Sequence, residues 1–297
     1  NIDEDVMELL LTKRLAQEQS RSFIFSREMM KRFRKSCEIE IYLNILNGLS
    51  TFGNRELFII DTQYDGLINM NALPLAFKYK EKNSEAVGNL LLPLNKPASI
   101  PEKATELVKN IIDNMNIVLQ QLVPGLTIGV VDLGPAVSKE GKIGRLIQLM
   151  SLKNEKAIPF QYESEGIKKI VSILQLLIVV YNNPSITVAI DELDSGIFEY
   201  LLGELLNIIS EKGKGQLIFT SHNLRPLETI DKGFIAFTTT NPDNRYIRMT
   251  NVKVNNNLRD FYYRDIVLGE QSEPVYSLTN NYEIALAFRE AGEAFGS

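Results

Sequence analysis

The run Ile186–Ile190 (ITVAI) constrains this chain more than any other stretch. A short apolar, mostly β-branched segment without polar alternation suits a strand buried on both faces of a parallel sheet. It ends in two acids, Asp191 and Glu192. Two carboxylates at the mouth of an apolar strand are costly unless a cation meets them. In open α/β sheets, ligands sit at the carboxyl ends of the strands. The pair therefore points to a Mg2+–nucleotide site, with the first acid near the metal and the second near a water.

Two flanking pieces strengthen that reading. Downstream, Gln216–Thr220 (QLIFT) reads as a second strand and runs into Ser221, His222 and Asn223; His222 is the only histidine in 297 residues. Upstream, Glu163-Ser164-Glu165-Gly166-Ile167-Lys168-Lys169 opens an apolar helix running from Ile170 to about Tyr181. A serine and a glycine at a helix N-terminus offer free N–H groups, the positive end of the dipole and no Cβ at the glycine, which suits an anion.

The order is a signature-like turn, a helix, a strand with Asp-Glu, a helix and a strand with His. It resembles the C-terminal lobe of an ABC-type ATPase head, of the SMC/RecF/OLD-like kind rather than the membrane-transporter kind. Pro159–Thr240 carries the resemblance. It implies an α/β fold: a P-loop NTPase lobe of the ABC-type head with a parallel-sheet core, plus a helical and β insertion region. It implies Asp191 as the Mg2+ residue, acting through a water. Glu192 would orient and deprotonate the attacking water, and His222 would be the switch histidine at the γ-phosphate. Ser164 and Gly166 would contact the γ-phosphate of an ATP held mainly by the other subunit. Asp194 and Ser195 would lie in the loop that crosses the dimer interface, although the usual aspartate position falls nearer Phe198. Lys168 and Lys169 either add positive charge at the turn or stand exposed on the helix. The implied cofactors are ATP and Mg2+. The implied assembly is a homodimer closed by ATP and opened by hydrolysis, with a nuclease or another effector as a further partner. Relatives act in DNA repair, chromosome handling and anti-phage defence.

One part is missing. A phosphate cradle of the form G-x-x-x-x-G-K-[ST] occurs nowhere in the sequence, and Gly141-Lys142 and Gly213-Lys214 lack its spacing. The preferred expectation is a C-terminal fragment of a longer ATPase. The alternatives are a lobe supplied by another polypeptide and a degenerate head. ATPase activity is thus an expectation for the intact protein, and the rival function is a non-hydrolysing scaffold that binds a nuclease or nucleic acid.

Composition narrows the classes. The net charge of −5 creates no global field toward nucleic acid, so DNA contact would be local. The candidate is a basic stretch carrying Arg21, Arg27, Lys31, Arg32, Arg34 and Lys35; an ordinary solvated helical face is its plainer reading. A single cysteine, Cys37, excludes an internal disulfide and fits a reducing, cytoplasmic compartment. The helix near 170–181 is too short and interrupted to span a bilayer.

Three regions are expected: a helical arm or lid at 1–55, a mixed α/β subdomain at 56–156, and the ATPase lobe at 157–297. Helices are expected over Asp3 to about Gln19, Ile39–Leu49, Ile197–Ile209 and about Tyr282–Ala291, and a short one from Pro226. Ser99-Ile100-Pro101-Glu102 has the form of a capping box opening a helix to about Leu122. Strands are expected at Leu57–Ile60, Gly66–Phe77, Leu90–Leu94, Leu126–Leu133 and Gly144–Ser151, with Lys78–Glu85 as a polar tip or loop. Phe234–Thr239 and Tyr246–Met249 read as a hairpin. Gln63, shortly after a strand, is a candidate for the glutamine that ABC heads carry in such a loop.

Overall fold

The computed structural model describes residues 2–26, 28–31, 40–60, 72–81, 84–137, 143–154, 156–250, 257–269 and 271–293. The chain divides into two compact units. Unit 1 comprises Asn1–Ser195 with Gly213–Thr220, and unit 2 comprises Gly196–Lys212 with Ser221–Ser297.

Unit 1 begins with helices α1 (Ile2–Glu18) and α2 (Glu40–Thr51), the second continuing as a π turn over Phe52–Glu56. Strand β1 (Leu57–Ile60) follows. Strands β2 (Ala72–Glu81) and β3 (Ser84–Pro93) form an antiparallel ladder paired out to Glu81 opposite Ser84. Of Lys78–Glu85, Lys78–Glu81 and Ser84–Glu85 are thus strand at the outer end of a hairpin, in line with a tip rather than a loop, and Lys82 and Asn83 lie outside the described residues. Phe77-Lys78-Tyr79-Lys80 alternates with the period of a strand, and that period carries the ladder outward.

Strand β4 (Ala98–Pro101) leads through a 3-10 turn into helix α3 (Thr105–Leu122). The expected capping box does not form. Ser99 lies in β4, opposite Leu146, and neither Pro101 nor Ala104 supplies a side-chain cap. The strand ladder takes the backbone that a cap would have turned. Strands β5 (Leu126–Val137), β6 (Ile143–Lys153) and β7 (Lys156–Pro159) complete an antiparallel sheet in the order β4-β6-β5, with β7 also on β6. Asn116 of α3 ties this sheet to the helix: its amide donates to Ile128 O and accepts from Ile128 N, both at 2.8 Å.

Helix α4 (Glu165–Asn182) packs against β2 and α3 and is largely buried. Beyond it lie β8 (Thr187–Ile190) and β9 (Gln216–Phe219). They join β1 in a three-stranded parallel sheet of order β1-β8-β9, with Leu57 opposite Thr187 and Thr187 opposite Gln216. The apolar run thus takes the central strand, where Val188 is fully buried. The turn before β9 closes the end of α4: Lys214 N and Gly215 N donate to the carbonyls of Tyr181 and Val180. Glycine is needed there, because a Cβ on Gly215 would stand 2.6 Å from Ile186 O and 2.7 Å from Asn183 O.

Unit 2 contains helix α5 (Glu199–Lys212), the short helix α6 (Pro226–Thr229), a hairpin of β10 (Phe237–Thr238) and β11 (Tyr246–Ile247), and helices α7 (Leu258–Leu268) and α8 (Asn281–Glu293). Among the described residues, Ile197, Leu202, Leu206, Pro226, Leu227, Leu258 and Phe261 are its buried apolar side chains. An ion cluster joins three of its helices: Glu228 pairs with Arg225 at 2.5 Å and with Arg259 at 3.0 Å, and Arg259 also reaches Glu199 at 3.7 Å. Helix α7 was not expected from sequence. Asn257 caps it by accepting from Arg259 N, and Gly269 ends it at φ +64°.

The molecule is thus α/β, with a parallel-sheet core carrying the acidic pair and a separate helical and β region. No helix among the described residues is long and apolar enough to cross a membrane.

Candidate functional site

The acidic pair stands where the parallel sheet ends. Asp191 N donates to Ile60 O of β1 at 2.9 Å, and Thr220 N donates to Ile190 O at 3.1 Å. The three strand ends are therefore laced together at the first acid. Residues 191–196 then form a turn. Its apolar anchor is Leu193, buried beneath it, whose N–H donates to Thr220 O. The turn holds Asp191, Glu192, Asp194 and Ser195; the first three are half-buried and Ser195 is exposed.

Glu192 adopts φ +47°, in the left-handed region. A residue with a Cβ is uncommon there. Such a conformation costs about 1–3 kcal/mol and persists where the surroundings over-determine it, which happens most often at functional sites. Here the surroundings do so. Thr220 Oγ1 accepts from Glu192 N at 2.8 Å and donates to Asp191 Oδ1. The Glu192 carbonyl accepts from Ser195 N at 3.1 Å and from Lys169 Nζ at 3.2 Å.

Thr220 is the residue that sequence reasoning missed, and Lys169, though named, was not expected to be buried. Lys169 does not stand exposed on the helix. It is 3% exposed, one turn into α4, and its ammonium joins that helix to the acidic turn. Burial pushes this ammonium down to about 8, against the opposing pull of Asp194, Glu192 and Asp191. The neighbouring Lys168 instead pairs with Glu165 at 2.9 Å.

Ser164 is the N-cap of α4, and its hydroxyl accepts from Ile167 N at 3.3 Å. Gly166 lies in the first turn of that helix. The two therefore stand at a capped helix start, in the same unit as the acidic turn. His222 belongs to unit 2, where it is exposed. The segment around it is a tight turn: Ser221 Oγ accepts from Asn223 N, and Asn223 Oδ1 accepts from Arg225 N at 2.8 Å. Of the basic stretch, Arg21 and Lys31 are exposed; Arg27, Arg32, Arg34 and Lys35 lie outside the described residues, as does Gln63.

Among the described residues, no group of three or more His, Cys, Asp or Glu side chains is arranged to hold a metal. Mg2+ bound with a nucleotide needs only one or two carboxylates, the rest of its shell being water and phosphate oxygens. Asp191, held by the Thr220 hydroxyl, fits that donor set.

No family model matches the chain, and no curated protein does. Solved structures of SMC heads are similar to parts of it. One, from work on ATP-driven dimerization and DNA-stimulated activation of SMC ATPases, is 12% identical, with a TM-score of 0.39 over 56% of this chain and 96% of that one. An SMC head with coiled coil and joint from Pyrococcus yayanosii is 15% identical, with a TM-score of 0.33 over 42% of this chain and 24% of that one. An SMC head bound to the C-terminal winged-helix domain of ScpA is 15% identical, with a TM-score of 0.31 over 41% of this chain and 38% of that one. The chain thus spans well under half the length of the latter two. Likeness of this size does not define the fold, which rests on the strands and helices themselves.

Proposed function

We propose that the chain supplies the signature turn, the acidic turn and the switch histidine of an ABC-type ATPase head that dimerises around ATP. The observation that carries this is the Asp191–Glu192 turn, fixed at the carboxyl end of the central strand of a parallel sheet. Asp191 would hold Mg2+, which when bound neutralises charge on the phosphates. Glu192 would take the proton of the attacking water, and its rigid backbone sets where that carboxylate points. His222, two residues beyond Thr220, would meet the γ-phosphate. Ser164 and Gly166 would face the nucleotide of the second head, and Asp194 and Ser195 its interface. With no G-x-x-x-x-G-K-[ST] in this sequence, the cradle for the nucleotide comes from another polypeptide segment. A cytoplasmic setting, an effector such as a nuclease, local DNA contact through Arg27, Lys31, Arg32, Arg34 and Lys35, and a role in DNA repair or anti-phage defence belong to the same proposal.

The missing cradle also favours a second reading, a scaffold with this fold that does not hydrolyse ATP. One variant separates the two in the native protein with its partners. Glu192→Gln lowers turnover by about 100-fold or more, the scale of a lost general base, and leaves an ATP-dependent dimer visible by light scattering. Wild type loses that dimer as ATP is spent. A Glu192→Gln protein that turns over like wild type, or a mass indifferent to ATP in both, overturns the ATPase reading.

A further inference from the structure

We infer that Thr220 and Lys169 are positioning residues that hold Glu192 in its left-handed backbone conformation from opposite sides. The consequence for turnover rests on the ATPase reading; the geometry does not. Thr220 Oγ1 uses both of its capacities at the acidic turn, accepting the Glu192 N–H and donating to Asp191 Oδ1. One hydroxyl thus fixes the spacing between the side chain of the first acid and the backbone of the second. Lys169 reaches the other end of the same residue, donating to the Glu192 carbonyl at 3.2 Å from a buried place on α4. The two come from different elements, the end of β9 and the first turns of α4. Neither element alone would oblige a glutamate to adopt φ +47°. A backbone held at both its N–H and its C=O cannot rotate into the ordinary helical or extended wells without breaking a bond on one side. The carboxylate of Glu192 is thereby aimed through its own backbone, in the way a supporting shell fixes a reactive group.

The test measures amide hydrogen exchange in the whole chain, by NMR, for Thr220→Val, Thr220→Ser, Lys169→Met and the Val/Met double variant. Thr220→Val keeps the shape of the side chain and removes the hydroxyl; its Glu192 amide exchanges about tenfold faster, the equivalent of one net hydrogen bond. Thr220→Ser restores the wild-type rate. Lys169→Met speeds exchange at Ser195, whose N–H shares the Glu192 carbonyl, and the double variant exceeds the sum of the singles because both act on one residue. In the native protein, Thr220→Val lowers kcat with KM kept, and Thr220→Ser does not. Unchanged exchange at Glu192 in Thr220→Val overturns the inference whatever the nucleotide does. Faster exchange without any ATP turnover by wild type overturns the ATPase reading and leaves the positioning intact.

Discussion

Helix α4 buries ten of its eighteen residues, Lys169 among them, whereas helix α5 buries three of fourteen. The first is enclosed on most sides, the second along one stripe. The difference separates two ways of supporting a polar group. In unit 1, a cation is carried into the interior by a helix packed on most sides, and its direction is set by that packing. In unit 2, the ion cluster of Glu199, Arg225, Glu228 and Arg259 lies on partly exposed helix faces, where solvent competes with every pair.

The sharpest way to break the comparison is to cut into each helix. Leu176 of α4 is fully buried, and Leu176→Ala is expected to cost about 3 kcal/mol in urea denaturation, as cavity-forming changes do. Ile208 of α5 is 48% exposed, and Ile208→Ala stays within about 0.5 kcal/mol. Equal losses would mean that α5 is as enclosed in solution as α4. A middle-sized effect is expected at the acidic turn. Glu192→Gly removes the strain of φ +47° and raises stability by about 1 kcal/mol while removing the carboxylate. A loss of stability there would show the turn to be unstrained.

The smallest effect lies in unit 2. Hydrogen bonds from Arg259 and then Arg225 hold the Glu228 carboxyl below its ordinary value. A group whose folded value is depressed contributes stability above its unfolded value, near 4.3, and loses it as pH falls through the folded one. The advantage of wild type over Glu228→Gln is thus constant near neutrality and shrinks below about pH 4. Urea midpoints of both proteins between pH 7 and pH 3 read it. An advantage that survives at pH 3 would mean Glu228 acts through packing.

Much of unit 1 was legible in the sequence because its signals are unambiguous. Ile186–Ile190 has no polar residue but a threonine, so burial on both faces was the economical solution, and the acids after it had to face the sheet's end. The chemistry around them was less legible. Lys169 follows another lysine at the start of a helix, where solvated cations are the rule, and only the packing of α4 turns it inward. Thr220 reads as the last residue of a strand; its role depends on β9 lying beside β8, which is a fact of register rather than of composition. Ser99 shows the reverse failure, a good local cap signal overridden by a ladder with Leu146. Helix α7 carried readable signals in Asn257 and Gly269, but Arg259, Asp260, Arg264 and Asp265 interrupt its apolar spacing.

The register that sets Leu57 opposite Thr187 also has a kinetic consequence. The strand that flanks the acids on one side is made early, and its partner comes only after the antiparallel sheet and two long helices have been synthesised. Closing so large a loop carries an entropic cost before the pairing rewards it, so contacts of this kind form late and slowly. On the ribosome, local hairpins such as β2–β3 can form while β1 waits. The acidic turn, which also needs β9, would be among the last parts of unit 1 to take shape.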